Sequence, residues 1–378
     1  MKWALYHLCR VPLWNDSISK SCVAAPKSRT PELSLPPRIL LLDGGVSTHL
    51  ESKLLLEQSQ QQRHLKNNEN IDSAPVLFSH RSLWSSSLLL TPQGQDAILS
   101  CHDDFFCAGS DIVSTVTYQC HYGACNFDQC EIDQMLRDGV HLARKAAAKS
   151  IKTNEHSAPS SKYVAASIGC YGASLADGSE YDGKYRQINP NTSQLESLIQ
   201  FHRRKTEILM EVFPDGIAYE TIPCLIECVA IVTLWKRLLG IIEDNPTNMK
   251  LNEIKNTTAV PAPHMKHRPM VWISFACCDG EHLNDGTKLA NVMKELDELD
   301  PSLEIVQGVG INCCSFANGE YFCIEECTLS QKTYFFNFEH ISFLPIKTKI
   351  ISAFDFFKSS LFWVSLPTTW LPPAFIAQ

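Results

Sequence analysis

Six short apolar runs, at residues 38–42, 111–118, 163–168, 216–219, 270–275 and 304–311, recur along the chain with amphipathic stretches between them. Each run is short and rich in aliphatic, β-branched or aromatic residues, which is the pattern of a buried strand. Between the second and third runs, Met135, Leu136, Val140 and Ala143 repeat at helical spacing. Ser193 followed three residues later by Glu196 is a capping box that opens another helix. Pro223 suits the first turn of a helix reaching about residue 239. Strands that alternate with helices pair in parallel through right-handed crossovers. An α/β fold follows, either a closed (β/α)₈ TIM barrel or an open doubly wound sheet.

The residues that end the runs favour the barrel. They are Asp43-Gly44-Gly45, Thr117-Tyr118-Gln119, Ser167-Ile168-Gly169, Glu220-Thr221, Ser274-Phe275 and Asn312-Cys313. A barrel collects functional groups from the carboxyl ends of many strands, whereas an open sheet gathers them at one switch point. No G-x-G-x-x-G follows the first run and no Walker-type loop is present, which argues against a nucleotide cofactor.

Composition narrows the partners. A net charge of −8 without a basic cluster excludes a nucleic-acid surface. Asp355, Lys358 and three prolines interrupt the apolar stretch 350–377, so no membrane span is expected. The opening MKWALYHLCR places His7 and Arg10 where a secretory core would run. The 16 cysteines are therefore read as reduced thiols of the cytoplasm. The basic first 36 residues leave a mitochondrial address open. Oligomeric state is not fixed by any of these features.

Three stretches, 58–74, 152–162 and 243–268, are polar and aperiodic and read as surface insertions. The composition breaks near Gly319: no glycine follows it in 59 residues, and 10 of the 18 phenylalanines lie in 321–378. The expected organisation is an N-terminal extension, 1–37, a barrel domain, 38–320, and a divergent tail, 321–378. The last two βα units are expected to be altered or missing. That would leave the first and sixth strands with open edges. Within the tail, 350–357 and 361–366 are the segments able to pair there.

Several separated motifs carry a resemblance. They are LLDGGVSTHLE at 41–51, Leu83-Trp84-Ser85, DIVSTVTYQ at 111–119, and the glycine-rich loop SIGCYGASLADGSEYDGKY at 167–185. Then come Phe201 to Arg203 with YETIP at 219–223, WISFACCDGEHLNDG at 272–286 and GVGINCC at 308–314. In this order they resemble the homocysteine S-methyltransferase family. The resemblance implies a zinc-dependent barrel enzyme that makes methionine from homocysteine. The methyl would come from a sulfonium donor, S-methylmethionine or S-adenosylmethionine.

It also implies a site. Asp43 and Glu220 would hold the homocysteine ammonium, which needs charge-assisted acceptors to offset its desolvation. Read without the resemblance, Asp43 starts a turn and Glu220 caps a helix. Gly44, with Gly45, permits close backbone approach to the substrate carboxylate. Thr117 would add a hydroxyl contact. Cys313 matches the family's zinc ligand after Gly-x-Asn, and no catalytic residue is assigned beyond the metal site. Trp84, Tyr118 and Tyr171 are candidate cation–π neighbours of the sulfonium.

This chain departs from the pattern in three places. The Gly-Gly-Cys-Cys motif that supplies the family's other two zinc ligands is absent, since Gly44-Gly45 is the only such glycine pair. Cys313-Cys314 and Cys277-Cys278 are adjacent pairs that each follow their own strand and match nothing of that motif. Cys323 and Cys327, at C-x₃-C spacing in the tail, could reach Cys313, while Cys224 and Cys228 read as buried structural thiols. Cys170 and Ser174 stand where proline and an aromatic are common. The alternatives are therefore a catalytically impaired member of the family and a barrel enzyme of other chemistry.

Overall fold

The apolar runs become neighbouring strands of one parallel sheet. In the computed structural model they are β1 (Leu40–Leu42), β2 (Ile112–Ser114), β3 (Tyr163–Gly169), β4 (Gly216–Ile222), β5 (Met270–Phe275) and β6 (Gly308–Ile311). Two further strands come from the tail, β7 (Thr333–Phe336) and β8 (Phe362–Ser365). The structure describes residues 40–65, 82–124, 127–153, 161–244, 268–301, 304–314, 333–336 and 362–365. The proposed extension 1–37, residues 350–357, Cys323 and Cys327 lie outside them, as does most of the 243–268 stretch.

Every strand pairs in parallel with the next, and β8 returns to β1, closing an eight-stranded barrel in sequence order. The expected open edges are thus not found: β1 pairs with β8 through Leu40 to Leu42, and β6 with β7 through Gly308 to Ile311. Short apolar segments of the tail suffice for this because a strand needs only backbone groups in register and an apolar face. One of them, β8, falls within the 361–366 segment identified from sequence.

Seven helices accompany the sheet among the described residues: α1 (Val46–Leu65), α2 (Pro92–Ala108), α3 (Gln129–Thr153), α4 (Tyr171–Leu175), α5 (Gln194–Glu211), α6 (Leu225–Leu238) and α7 (Leu289–Leu299). Their ends follow local chemistry. Thr91 caps α2 by accepting the Gly94 N–H at 3.1 Å, with Pro92 opening the helix. Gly109, at φ 113°, closes it in the left-handed conformation that glycine adopts without strain. Ser193 caps α5 through the Glu196 N–H at 3.2 Å. The Glu196 carboxylate does not complete the capping box; it pairs instead with Arg237 of α6 at 2.8 Å, tying the two helices. Pro223 precedes the N-cap Cys224 of α6 rather than entering the helix.

Residues 58–65 belong to α1, not to an insertion. Their glutamine-rich composition is compatible with a helix because Gln, Leu and Arg are good helix formers. Helix α6 is buried from Glu227 to Arg237 on all sides, as expected of a helix that is apolar around its circumference. The core runs continuously through the strands and the inner faces of α2, α3, α6 and α7.

Candidate active site at the carboxyl ends of the strands

Asp43 leaves the end of β1 with a carboxylate that is 1% exposed. Its Oδ2 accepts the Ser114 N–H at 2.6 Å and its Oδ1 the Ser114 hydroxyl at 3.0 Å. The ends of β1 and β2 are thereby joined by two charge-assisted bonds. Gly44 is buried directly behind it, its carbonyl accepting the Val46 N–H at 2.8 Å.

The next links pass from β2 to β4. The Thr115 hydroxyl accepts the Ser167 N–H at 3.0 Å and shares a bond with the Thr117 hydroxyl at 2.6 Å. Thr117 in turn donates to the Ser167 carbonyl at 2.7 Å. A Cβ on Gly139 of α3 would come within 2.5 Å of the Thr117 methyl, so this side chain faces the helix layer. Thr117, expected from sequence to contact the substrate, is buried between the ends of β2 and β3. Ser167 Oγ donates to Glu220 Oε2 at 3.0 Å, which brings the half-buried Glu220 carboxylate beside the end of β3.

Asn312 closes the run. It lies buried after β6, accepts the Thr221 N–H at 2.9 Å, and donates through Nδ2 to Thr221 Oγ1 at 3.0 Å and to Cys313 Sγ at 3.6 Å. Thr221 Oγ1 also reaches Cys313 Sγ at 3.5 Å. Thr221 and Cys313 hold φ of 61° and 51°, conformations that cost a non-glycine residue energy unless the surroundings impose them. Tyr118 lies against this group: burial above all, then the Cys170 and Cys313 sulfurs, push its phenol up, and Thr221 hydrogen-bonds to it. Gly169 permits that placement, since a Cβ there would meet the Tyr118 carbonyl at 2.5 Å.

Beside Cys313, Cys314 Sγ accepts the Cys277 N–H at 3.0 Å. A thiol–thiol hydrogen bond between the same two residues holds Cys314 below the ordinary thiol range and pushes Cys277 up. The glycine-rich loop is anchored separately. Glu227, fully buried in α6, accepts from the Tyr171 N–H at 2.7 Å and the Tyr185 hydroxyl at 2.6 Å, and bonds His202 Nε2 at 2.8 Å. Burial lowers the His202 pKa, with Glu227 acting in the opposite direction. Tyr171 packs edge-on against Tyr185 and Phe201, both at 5.2 Å between centroids. Cys170 caps α4 by accepting the Ala173 N–H at 3.4 Å, and Ser174 donates to the Tyr171 carbonyl at 2.7 Å. Trp84 opens a short 3₁₀ helix at φ 42°. Cys224 and Cys228 are buried at the start of α6.

Asp43, Glu220 and Cys313 therefore sit at one end of the barrel, linked through Ser114, Ser167, Thr221 and Asn312. Among the described residues no three His, Cys, Asp or Glu side chains converge as a metal-binding group. Zinc with an open coordination position needs three protein ligands. The described residues alone do not supply them and do not fit the metal.

A family model described as homocysteine S-methyltransferase matches residues 40–336. The chain belongs to the homocysteine S-methyltransferase family. Its relatives include homocysteine S-methyltransferase YbgG of Bacillus subtilis, 32% identical over 280 residues, with 73% of this chain and 69% of the relative covered. Homocysteine S-methyltransferase of Escherichia coli is 30% identical over 283 residues, covering 74% and 71%. The crystal structure of the E. coli homocysteine methyltransferase MmuM in its metallated form superposes with a TM-score of 0.60 at 26% identity. That match covers 90% of this chain and 94% of the other. The family is one of methyltransferase enzymes, and the closed parallel barrel described above agrees with this assignment. No helix among the described residues is long and apolar enough to cross a membrane.

Proposed function

We propose that this family member binds homocysteine at the carboxyl ends of its strands and accepts a methyl group onto the homocysteine sulfur from a sulfonium donor. The observation that carries the reading is the run of hydrogen bonds and peptide neighbours from Asp43 and Ser114, through Thr115, Ser167 and Glu220, to Thr221, Asn312 and Cys313. It leaves two carboxylates and one thiol near one mouth, suited to an ammonium at one end of a small amino acid and a sulfur at the other.

In this reading Asp43 and Glu220 receive the ammonium. Their existing bonds to Ser114 and Ser167 hold each carboxylate in place, so little ordering is required when the ligand arrives. Gly44 leaves room for the substrate carboxylate to approach the backbone. The homocysteine thiol gives its proton to solvent, and the methyl passes in line from donor sulfur to the resulting thiolate. As the new S–C bond forms and the old one breaks, the donor loses its positive charge and departs as a neutral thioether. The cytoplasm, or a mitochondrion, is the compartment we assign.

Zinc is the cofactor we assign by family, with Cys313 as its ligand in the described chain. A second reading, an impaired member that binds homocysteine and transfers methyl slowly, is favoured by that single thiolate. A free thiol has a pKa of about 8.5 and is mostly protonated at neutral pH, so a weakly held metal leaves the acceptor sulfur unactivated. Calorimetric titration with homocysteine, paired with an assay for methionine made from S-methylmethionine, tests both. Binding with turnover supports the first, binding without turnover the second, and failure to bind homocysteine overturns both.

A further inference from the structure

Two thiols that the methyl-transfer reading leaves unused meet at the mouth, on the loops after β5 and β6. In the sheet Phe275 is the register partner of Ile311, and parallel neighbours stand about 4.8 Å apart. Cys277 and Cys314 follow those two residues. Neighbouring strands thus bring the two cysteines to adjoining loops, and a disulfide needs Cα atoms roughly 4.4–6.8 Å apart. The two residues already touch: Cys314 Sγ takes the Cys277 backbone N–H at 3.0 Å while donating to the Asn312 carbonyl at 3.1 Å.

Their sequence neighbours are directed elsewhere. Cys278 Sγ donates to the Leu283 carbonyl at 3.2 Å. Cys313 Sγ faces Thr221 and Asn312, because the left-handed turn at Cys313 sends it away from its neighbour. Access is unequal as well. Cys277 is 5% exposed and Cys314 half-buried, so a reagent meets Cys314 first.

We propose that Cys277 and Cys314 form a reversible disulfide with low-molecular-weight disulfides of the glutathione type, tying the loop after β5 to the loop after β6. The exchange balances in two steps. The Cys314 sulfur displaces one half of the reagent disulfide, giving a mixed disulfide and one released thiol. The Cys277 sulfur then displaces the second half, and the two protein thiol protons leave on the two released thiols. The reagent is reduced and the cysteine pair oxidised. The bond would sit one residue beyond Cys313 and fix the turn that presents that thiol.

The test uses the full chain, reduced, then incubated with oxidised glutathione, quenched with iodoacetamide, digested and sequenced by mass spectrometry. Fragment ions separate the adjacent cysteines. The expected result is that alkylation of Cys277 and Cys314 falls together by about tenfold or more, with a cross-linked peptide lacking two hydrogens that dithiothreitol restores. Cys278 and Cys313 should alkylate as before. In C278S and C313S the cross-link should persist, and in C277S and C314S it should vanish. A cross-link between other cysteines, or Cys314 remaining as a glutathione mixed disulfide while Cys277 stays free, would overturn the assignment.

Discussion

Asn312 holds Thr221 by both of its polar groups, taking the backbone N–H at 2.9 Å and reaching the hydroxyl at 3.0 Å. The contact spans from β6 to β4 past the intervening strand. It fixes the residue immediately after the Glu220 carboxylate and the one immediately before the Cys313 thiol. Two left-handed residues are thus stabilised by one carboxamide.

Replacing Asn312 with Ala should therefore lower unfolding stability by about 2–4 kcal/mol, from lost hydrogen bonds and a buried N–H left without its partner. Urea denaturation measures it. A loss below about 0.5 kcal/mol, the range of ordinary surface substitutions, would mean that neighbouring groups hold the turns without Asn312.

Glu220→Gln should weaken homocysteine binding by about 1.5–3 kcal/mol, the worth of a hydrogen bond to a charged group. Asp43→Asn should cost a similar amount. Calorimetry on both variants, each checked for an intact far-UV spectrum, decides the matter. Unchanged affinity in both folded variants rules out the carboxylate pair as the ammonium site.

Zinc content should fall well below one ion per chain after dialysis, because Cys313 alone does not complete a three-ligand site. Elemental analysis checks this directly. If the metal is near-stoichiometric and is lost in C323S or C327S, the tail supplies the missing ligands.

Lys205 offers a pH test of the buried layer next to the site. Its ammonium lies 3.7 Å from the Phe201 ring centroid. Burial lowers its pKa to about 7, against the opposing pull of Glu227, Cys170 and Cys120. The unfolded chain holds this proton up to a pKa of about 10.4. Between about pH 7 and 10 the unfolded state thus binds more protons, and this group makes stability rise with pH. Below pH 7 both states are charged and the contribution levels off. The difference in unfolding free energy between wild type and Lys205→Met should shift in favour of wild type as pH climbs from 7 toward 10. Urea titrations at several pH values would show it; a difference that does not vary with pH refutes the assignment.

Much of the fold was legible because strand ends in a barrel carry polar residues wherever the interior gives way to the mouth. The run at 270–275 coincides with β5, Asp43 and Cys313 follow strands, and Glu220 lies in the carboxyl half of β4. What escaped the reading depended on contacts distant in sequence. Nothing in Thr221 or Cys313 signals a positive φ, since neither is glycine; Thr221 is held by Asn312 from another strand, and Cys313 by contacts with Asn312 and Thr221. The packing of the Thr117 methyl against Gly139 of α3 is likewise a contact that spacing along the chain does not show. The meeting of Cys277 with Cys314 depends on the β5–β6 register, which spacing along one chain does not reveal. Closure through β7 and β8 was hidden by a tail without glycine, since its short strands carry few local turn signals.

The first strand has a slender hold on β2, with Leu42 and Ile112 as their one register pair. Asp43 reinforces that join through both Ser114 bonds. The carboxylate proposed to greet an incoming ammonium is therefore also a rivet in the hoop of the barrel. A ligand seated on it would brace the hoop, so occupancy of the mouth should register as resistance to heat that grows with ligand concentration. Removing the carboxylate would loosen both at once.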